Sequence, residues 1–283
     1  MSALADHRRF YANHILGSED SPNPAVIEAF ACVEREHFLG PGPWLVFNGS
    51  GYLPTMSDDP RLLYQDVLVG ISTERGINNG QPSLHARCIA ACAPQRGELV
   101  VHIGAGTGYY TAILAELVGR EGAVIAYEIE ADLADEARRL LAPDWPQVRV
   151  ACASATEVAL PAADVIYVSA GATHVPDAWL DALKPGGRLV LPLTPDRGYG
   201  PMLLITRRGD DATRYAARSL MQVSFIPCVG ARDAAASAAL RDAIDTHSLR
   251  AIRSLRRHTP PDETVWCAGK GWWLSTADPD DAR

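Results

Sequence analysis

Three glycines at alternate positions, Gly104, Gly106 and Gly108, come directly after an apolar run and before a helical pattern. Glycine lacks a Cβ atom and tolerates positive φ, so this loop can turn sharply and bring its backbone close to a ligand. A dinucleotide-binding fingerprint would place its third glycine at position 109. Tyr109 occupies that position, so the spacing argues against a dinucleotide.

The spacing G-x-G-x-G is instead typical of S-adenosylmethionine (SAM) methyltransferases. Glu128 supports this interpretation because it ends the next apolar run, 24 residues after Gly104. A carboxylate at that point can accept hydrogen bonds from two ribose hydroxyls. The predicted cofactor-binding residues follow successive apolar runs, with Gln81 added from the loop before the glycine strand: Gly104, Ala105, Gly106, Thr107, Gly108, Glu128, Ile129, Ser154, Ala155, Ser169 and Gln81.

A second polar segment, residues 76–85, lies just before the glycine strand. Its amide side chains offer donors and acceptors, and the backbone amides at the start of the following helix favour an anion. Asn79, Gln81 and His85 are therefore the predicted catalytic residues. The alternative is that Asn-Asn-Gly forms a simple turn.

Alternating apolar runs and helical patterns must position these residues. Strands are predicted at 99–103, 123–127, 148–152, 164–168, 188–193, 202–207 and 215–223. This alternation predicts an α/β, Rossmann-like SAM-dependent methyltransferase fold with a doubly wound, seven-stranded, mostly parallel sheet. Ligands of such folds bind at the carboxyl ends of the strands.

The chain divides by pattern into three segments. Residues 1–96 are predicted to hold N-terminal helices, at 24–39 and 82–93, and a mostly irregular substrate lid at 44–82. Residues 97–231 form the SAM-binding core, and 232–283 form a C-terminal extension with a helix at 234–257 and a hairpin.

The extension carries two features that suggest partners. Arg250, Arg253, Arg256 and Arg257 are predicted near one face of its helix, which is either a docking surface for an acidic partner or a solvated basic face. The hairpin region at 264–274 contains three of the six tryptophans. These aromatic side chains must cover either the domain itself or a second subunit, so a homodimer through the extension is one arrangement they would serve.

Composition excludes several classes of protein. The net charge of −8 argues against a nucleic-acid partner. No apolar run approaches the ~20 residues that cross a membrane, and the first residues have no apolar signal core. We therefore expect a cytoplasmic protein without a membrane partner. The six cysteines are scattered without a C-x-x-C pair, so neither a disulfide nor a metal site is expected.

Several longer segments together resemble the protein-L-isoaspartate O-methyltransferase family. Residues 26–39 are similar to its N-terminal helix with an R-x-x-F signature, and residues 64–70 resemble its Y-x-D-x-P-L-P-I-G segment. Residues 183–192 are similar to its sheet-closing turn and strand, and 225–230 resemble its F-V-P-L-x-G segment. The resemblance implies a SAM-dependent O-methyltransferase acting on an aspartate- or isoaspartate-type carboxylate of a protein or peptide.

The departures from the family pattern lie among the site residues. Positions 78–82 read Asn-Asn-Gly-Gln-Pro, whereas the family has T-I-S-Q-P or T-I-S-A-P. His102 replaces an acid two residues before the first glycine, and Ser154 replaces the aspartate that faces adenine. Two alternatives follow: methylation of a small molecule or a natural-product peptide, and a SAM-binding paralogue without isoaspartyl repair activity.

The nature of the acceptor decides whether a base is needed. A carboxylate, with a pKa of about 4, is ionised at neutral pH and needs none. Alignment and proximity would then supply most of the catalysis. A hydroxyl acceptor would need a general base, for which His85 and His102 are the candidates.

Overall fold

The computed structural model describes residues 3–17 and 23–280. The chain divides into two units, the first formed by Met1–Gly97 and Ala105–Cys152 and the second by Glu98–Gly104 and Ala153–Arg283. Among the described residues, no helix combines the length and the apolar character that crossing a membrane requires.

Seven α-helices occur in the described residues. They are α1 (Ala3–Leu16), α2 (Pro24–Cys32), α3 (Pro82–Cys92), α4 (Tyr109–Val118), α5 (Ala131–Leu141), α6 (Asp177–Asp181) and α7 (Ala234–Thr246). The helix predicted at 24–39 is shorter than expected, because Val33 takes an extended conformation with φ of −78° and ψ of 121°. A separate 3₁₀ turn, Arg35–Phe38, follows.

The strands of the described chain are β1 (Leu45–Phe47), β2 (Tyr52–Pro54), β3 (Gly70–Ser72), β4 (Ile77–Asn78), β5 (Leu99–Ile103), β6 (Ala123–Glu128), β7 (Val148–Cys152), β8 (Ala163–Val168), β9 (Leu183–Pro192), β10 (Gly200–Arg207), β11 (Arg214–Val223), β12 (Ser254–Arg257), β13 (Val265–Gly269) and β14 (Trp272–Ser275). All seven predicted strands are present, as β5 to β11.

The first unit combines helices with three pairs of strands. β1 and β2 form an antiparallel hairpin, β3 and β4 form another short antiparallel pair, and β6 lies parallel to β7. The predicted lid at 44–82 is therefore more regular than expected. Its strands are only two or three residues long, so they leave too short a pattern to be recognised from sequence.

The second unit is built on a sheet in the order β13-β14-β12-β11-β10-β9-β8-β5. β5, β8 and β9 are parallel neighbours, whereas the pairings from β9 outwards through β10, β11, β12, β14 and β13 are antiparallel. The continuous apolar run of β8 is buried from Val165 to Val168, as expected for a strand that is covered on both faces.

The extension corrects one prediction. The helix expected at 234–257 ends at Thr246, and Arg256 and Arg257 lie in β12, where both are buried. Arg257 donates to Asp181 at 2.5 Å and to the carbonyl of Ala212 at 2.7 Å. The basic helix face predicted for Arg250, Arg253, Arg256 and Arg257 is therefore wrong, because two of these cations are paired inside the unit.

The tryptophans of the extension are covered by the chain itself. Trp266, Trp272 and Trp273 are all buried, and the guanidinium of Arg256 lies 5.0 Å from the ring centroid of Trp273. The indole of Trp266 donates to the carbonyl of Ser248 at 3.0 Å. Of the two covers expected for these rings, the structure provides the intramolecular one, and a homodimer through the extension stays a prediction.

Candidate active site

The carboxylate of Glu128 is held at the carboxyl end of β6. The side chain is only 6% exposed. Its Oε2 accepts the backbone N–H of Gly106 at 2.6 Å, and its Oε1 accepts that of Glu130 at 3.0 Å. A carboxylate offers about four lone-pair positions, so roughly two remain for a ligand. This arrangement fits the two adjacent hydroxyls of a ribose.

The glycine loop has the backbone conformation that its sequence demands. Gly106 and Gly108 have φ of +56° and +103°, which side chains rarely tolerate. A Cβ on Gly108 would lie 2.8 Å from Leu141 Cδ1 in the protein interior. A Cβ on Gly106 would meet only Ile71 Cδ1, at 4.0 Å. Within the first unit, the space above Gly106 is therefore open enough for the backbone to meet a ligand.

The other predicted residues of this loop anchor it or border it. The hydroxyl of Thr107 donates to the carbonyl of Phe38 at 2.7 Å, so this side chain serves the fold. The backbone N–H of Ala105 donates to the carbonyl of Tyr127 at 3.2 Å, which holds the loop against the end of β6. Ile129 is half exposed beside Glu128 in sequence. Together these contacts fix the loop and Glu128 relative to one another.

Asn79 joins the polar loop to a buried cation. Its side-chain oxygen accepts from Arg35 Nη2 at 3.0 Å and from the backbone N–H of Val69 at 3.3 Å. The fully buried Arg35 also donates to the carbonyls of Leu63 at 2.6 Å and Val67 at 2.6 Å. Arg35 was not predicted as a site residue. The R-x-x-F resemblance pointed to it, but nothing in the sequence shows where its donors go.

Gln81 is oriented by an aspartate that sequence reasoning missed. Gln81 Nε2 donates to Asp66 Oδ2 at 2.8 Å. Ser83 donates to the same carboxylate twice, from its backbone N–H at 2.8 Å and from its hydroxyl at 2.7 Å. Asp66 therefore satisfies a free backbone amide at the start of α3 and fixes the Gln81 side chain together with it.

His85 lies one turn into α3 and is packed tightly. It is 2% exposed, and its ring stacks on Tyr110 with the centroids 3.7 Å apart and the planes at 16°. Gly80 has φ of +74°, and a Cβ there would lie 2.3 Å from His85 Nε2. The imidazole thus occupies the space that a side chain at position 80 would need.

In the second unit, Gly104 and Ser169 follow the adjacent parallel strands β5 and β8. Gly104 has φ of +79°, and Ser169 donates its backbone N–H to the carbonyl of Ile103 at 2.8 Å. The Ser169 hydroxyl lies 3.0 Å from His102 Nε2. Burial lowers the pKa of His102 to about 3, so the imidazole is neutral at physiological pH. It is therefore poorly suited to be the general base that a hydroxyl acceptor would need.

Ser154 and Ala155 form a tight turn after β7. The Ser154 hydroxyl lies 2.7 Å from the hydroxyl of Thr156, and the Ser154 carbonyl accepts from the backbone N–H of Glu157 at 3.1 Å. The carbonyl of the buried Ala155 accepts from Trp179 Nε1 at 3.0 Å. These bonds account for the turn, and a contact of either residue with adenine stays a prediction.

The comparison with protein families gives one match that spans most of the chain. The family model described as "Protein-L-isoaspartate(D-aspartate) O-methyltransferase (PCMT)" matches residues 18–233 of this chain. The relatives named "Protein-L-isoaspartate O-methyltransferase" include one from Ignicoccus hospitalis, 34% identical over 171 residues, which are 59% of this chain and 79% of that protein. Another, from Rhodopseudomonas palustris, is 35% identical over 213 residues, or 74% and 87% of the two chains.

Solved structures show the same fold. A protein-L-isoaspartate O-methyltransferase superposes with a TM-score of 0.62 at 24% identity, covering 79% of this chain and 65% of the other. A crystal structure titled as a putative protein-L-isoaspartate O-methyltransferase from Plasmodium falciparum, in complex with S-adenosyl-L-homocysteine, has a TM-score of 0.61 at 19% identity and covers 79% and 98% of the two chains. The predicted α/β, Rossmann-like fold is thereby confirmed.

Proposed function

This chain belongs to the protein-L-isoaspartate(D-aspartate) O-methyltransferase family, and we propose that it methylates an aspartate- or isoaspartate-type carboxylate on a protein or peptide. As a member of this family it is a SAM-dependent methyltransferase. The names of the relatives support the choice of acceptor. A small-molecule acceptor or a paralogue without this activity is not favoured by the family match.

One observation carries the assignment of the cofactor to particular residues. Glu128 is a buried carboxylate whose two oxygens each accept one backbone amide, from Gly106 and Glu130. Its remaining lone pairs would accept the ribose hydroxyls of SAM. Ala105, Gly108 and Ile129 would then border the cofactor through their backbone, while Thr107 supports the loop. Contacts of Gly104, Ser154, Ala155 and Ser169 with the cofactor stay predictions.

The chemistry of a carboxylate acceptor suits the residues of this chain. SAM supplies a methyl group on a positively charged sulfur, which leaves as a neutral thioether. The acceptor carboxylate is already ionised, so no protein group has to remove a proton. The neutral, buried His102 is consistent with a reaction that uses no base. The task left to the protein is to align acceptor and donor.

The polar loop at 78–85 is the proposed place where the acceptor is aligned. Gln81 has an exposed side chain and would contact the acceptor. Asn79 is buried against Arg35, so its proposed role is to hold the loop in shape. The His85 ring, packed between Tyr110 and Gly80, would contribute shape and a polar edge at Gly80.

The proposal is tested by methyl transfer from radiolabelled SAM to an isoaspartyl peptide. A normal aspartyl peptide of the same sequence is the matched control. We expect label in the isoaspartyl peptide, released as methanol in mild base because the product is a methyl ester. Label in the aspartyl peptide alone would move the specificity to the normal residue. The absence of transfer to both peptides would refute the proposed acceptor class.

Three further predictions accompany this function. A protein or peptide is the proposed partner, and a homodimer through the extension would be tested by sedimentation equilibrium. A cytoplasmic location also stays a prediction.

A further inference from the structure

The hydrogen bond between Gln81 and Asp66 determines whether the oxygen or the nitrogen of the Gln81 side-chain amide faces the methyl-accepting substrate. A carboxylate only accepts hydrogen bonds, so the Gln81 group that faces Asp66 Oδ2 at 2.8 Å is the nitrogen. The amide oxygen, Oε1, is then on the other branch of an exposed side chain. The loop consequently presents a hydrogen-bond acceptor rather than a hydroxyl donor.

This orientation is fixed from several sides. Asp66 is tied to α3 by both hydrogen bonds from Ser83. The segment that carries Asp66 is tied to Arg35 through the carbonyls of Gln65 at 3.1 Å and Val67 at 2.6 Å. A buried cation therefore holds the backbone of residues 65–67, and the aspartate within that segment holds the loop. A side chain that is positioned in this way loses little further entropy when it binds.

The amide oxygen of Gln81 cannot form a hydrogen bond with the carboxylate that is methylated, because both groups accept hydrogen bonds and neither donates one. It can bind an N–H beside that carboxylate. We propose that Gln81 is a specificity-determining residue that accepts a hydrogen bond from a backbone N–H of a peptide acceptor, and that Asp66 is its positioning residue. This rests on the proposed function and narrows it to peptidyl carboxylates, since a simple carboxylic acid has no such N–H.

The first test compares peptides that differ in one N–H. An isoaspartyl peptide is paired with two versions that are N-methylated at the peptide bond before or after the acceptor residue. With the wild-type protein, we expect one of the two to raise KM by about three- to tenfold, the range for one lost hydrogen bond, while kcat stays unchanged. With Gln81→Leu, the KM of all three peptides should equal the raised value, because the hydrogen bond to the peptide N–H is already absent. Equal KM values for the three peptides with the wild-type protein would overturn the proposal.

The second test reverses the polarity of the pair. In Asp66→Asn, the backbone N–H of Ser83 needs the remaining acceptor oxygen, so the new nitrogen faces Gln81 Nε2. The Gln81 carboxamide must then turn, and KM should rise. Asp66→Asn with Gln81→Glu restores a donor–acceptor pair with an oxygen facing outwards, and should bring KM back towards the wild-type value. Asp135→Asn is the matched control, because it makes the same change at an exposed carboxylate on α5 that pairs with Arg138. A double variant no better than Asp66→Asn alone would contradict the positioning role, provided that both bind S-adenosylhomocysteine as the wild type does.

A measurement without turnover separates this inference from the proposed function. The side-chain amide signals of Gln81 in a ¹H–¹⁵N spectrum are identified by their loss in Gln81→Glu. Asp66→Asn should shift these signals, and Asp135→Asn should leave them almost unchanged. If the wild-type protein methylates no peptide, the proposed acceptor fails, while these signals still decide whether Asp66 orients Gln81. Signals that do not respond to Asp66→Asn would overturn that orientation.

Discussion

Removal of the Glu128 carboxylate should weaken cofactor binding by an amount that its geometry sets. Each oxygen already accepts one backbone amide, at 2.6 and 3.0 Å, which leaves about two lone pairs for the ribose. Hydrogen bonds to a charged group are worth roughly 1.5–3 kcal/mol, and we expect a loss in that range for Glu128→Ala. This corresponds to a dissociation constant about 10- to 150-fold higher.

The assay is isothermal titration calorimetry with S-adenosylhomocysteine, because this ligand binds without turnover. Glu128→Gln should also weaken binding, since its nitrogen would face the N–H of Gly106 or Glu130. Glu136→Gln is the control for charge: it lies on α5, where its carboxylate pairs with Arg139. Its dissociation constant should match that of the wild type. Binding by Glu128→Ala within twofold of the wild type would refute the assignment of this carboxylate to the ribose.

Two further predictions concern stability. Burial lowers the pKa of His102 from 6.5 to about 3, so the unfolded chain binds the extra proton between these values and stability falls as the pH drops through that range. His102→Gln should therefore reduce the loss of unfolding free energy between pH 7 and pH 4.5 by about 2–3 kcal/mol in urea titrations. An unchanged pH dependence would contradict this. Gly80→Ala should lower stability by about 1–3 kcal/mol, because it puts a Cβ in a left-handed conformation 2.3 Å from His85 Nε2. In thermal unfolding, Gly80→Ala should cost less stability in a His85→Ala background than in the wild-type background, because the clash with the imidazole is then absent. An equal cost in both backgrounds would contradict the clash and leave backbone strain as the cause.

The core strands could be predicted because buried strands leave continuous apolar runs in the sequence. β8 is an example, with Val165 to Val168 fully buried. The extension was harder to interpret. Leu249, Ile252 and Leu255 recur every three residues, as in a helix, but Leu255 pairs with Tyr215 in a sheet. Pairing with a strand that is distant in sequence overrides the local helical pattern, and the residues around Leu255 do not indicate that this pairing occurs.

The residues of the candidate site also fall into those that the sequence predicts and those that it does not. The Gly106 loop and Glu128 were predicted because they belong to one strand–loop–helix–strand segment with known spacing. Arg35 and Asp66 were not predicted as site residues. Arg35 contacts backbone carbonyls 28 to 32 residues away, and Asp66 contacts a side chain 15 residues away. Such contacts depend on the path of the folded backbone, which a residue pattern does not encode.

Because β12 pairs with β11, the segment that matches the family ends before the sheet of the second unit is complete. The family match ends at residue 233, but the sheet of the second unit continues through β14 to Ser275. A protein shortened to the inherited part would expose the edge of β11 where Tyr215 now meets Leu255. Unpaired strand edges invite pairing with other molecules. In this chain, the segment beyond the family match therefore covers a strand edge of the matched part that would otherwise be open to such pairing.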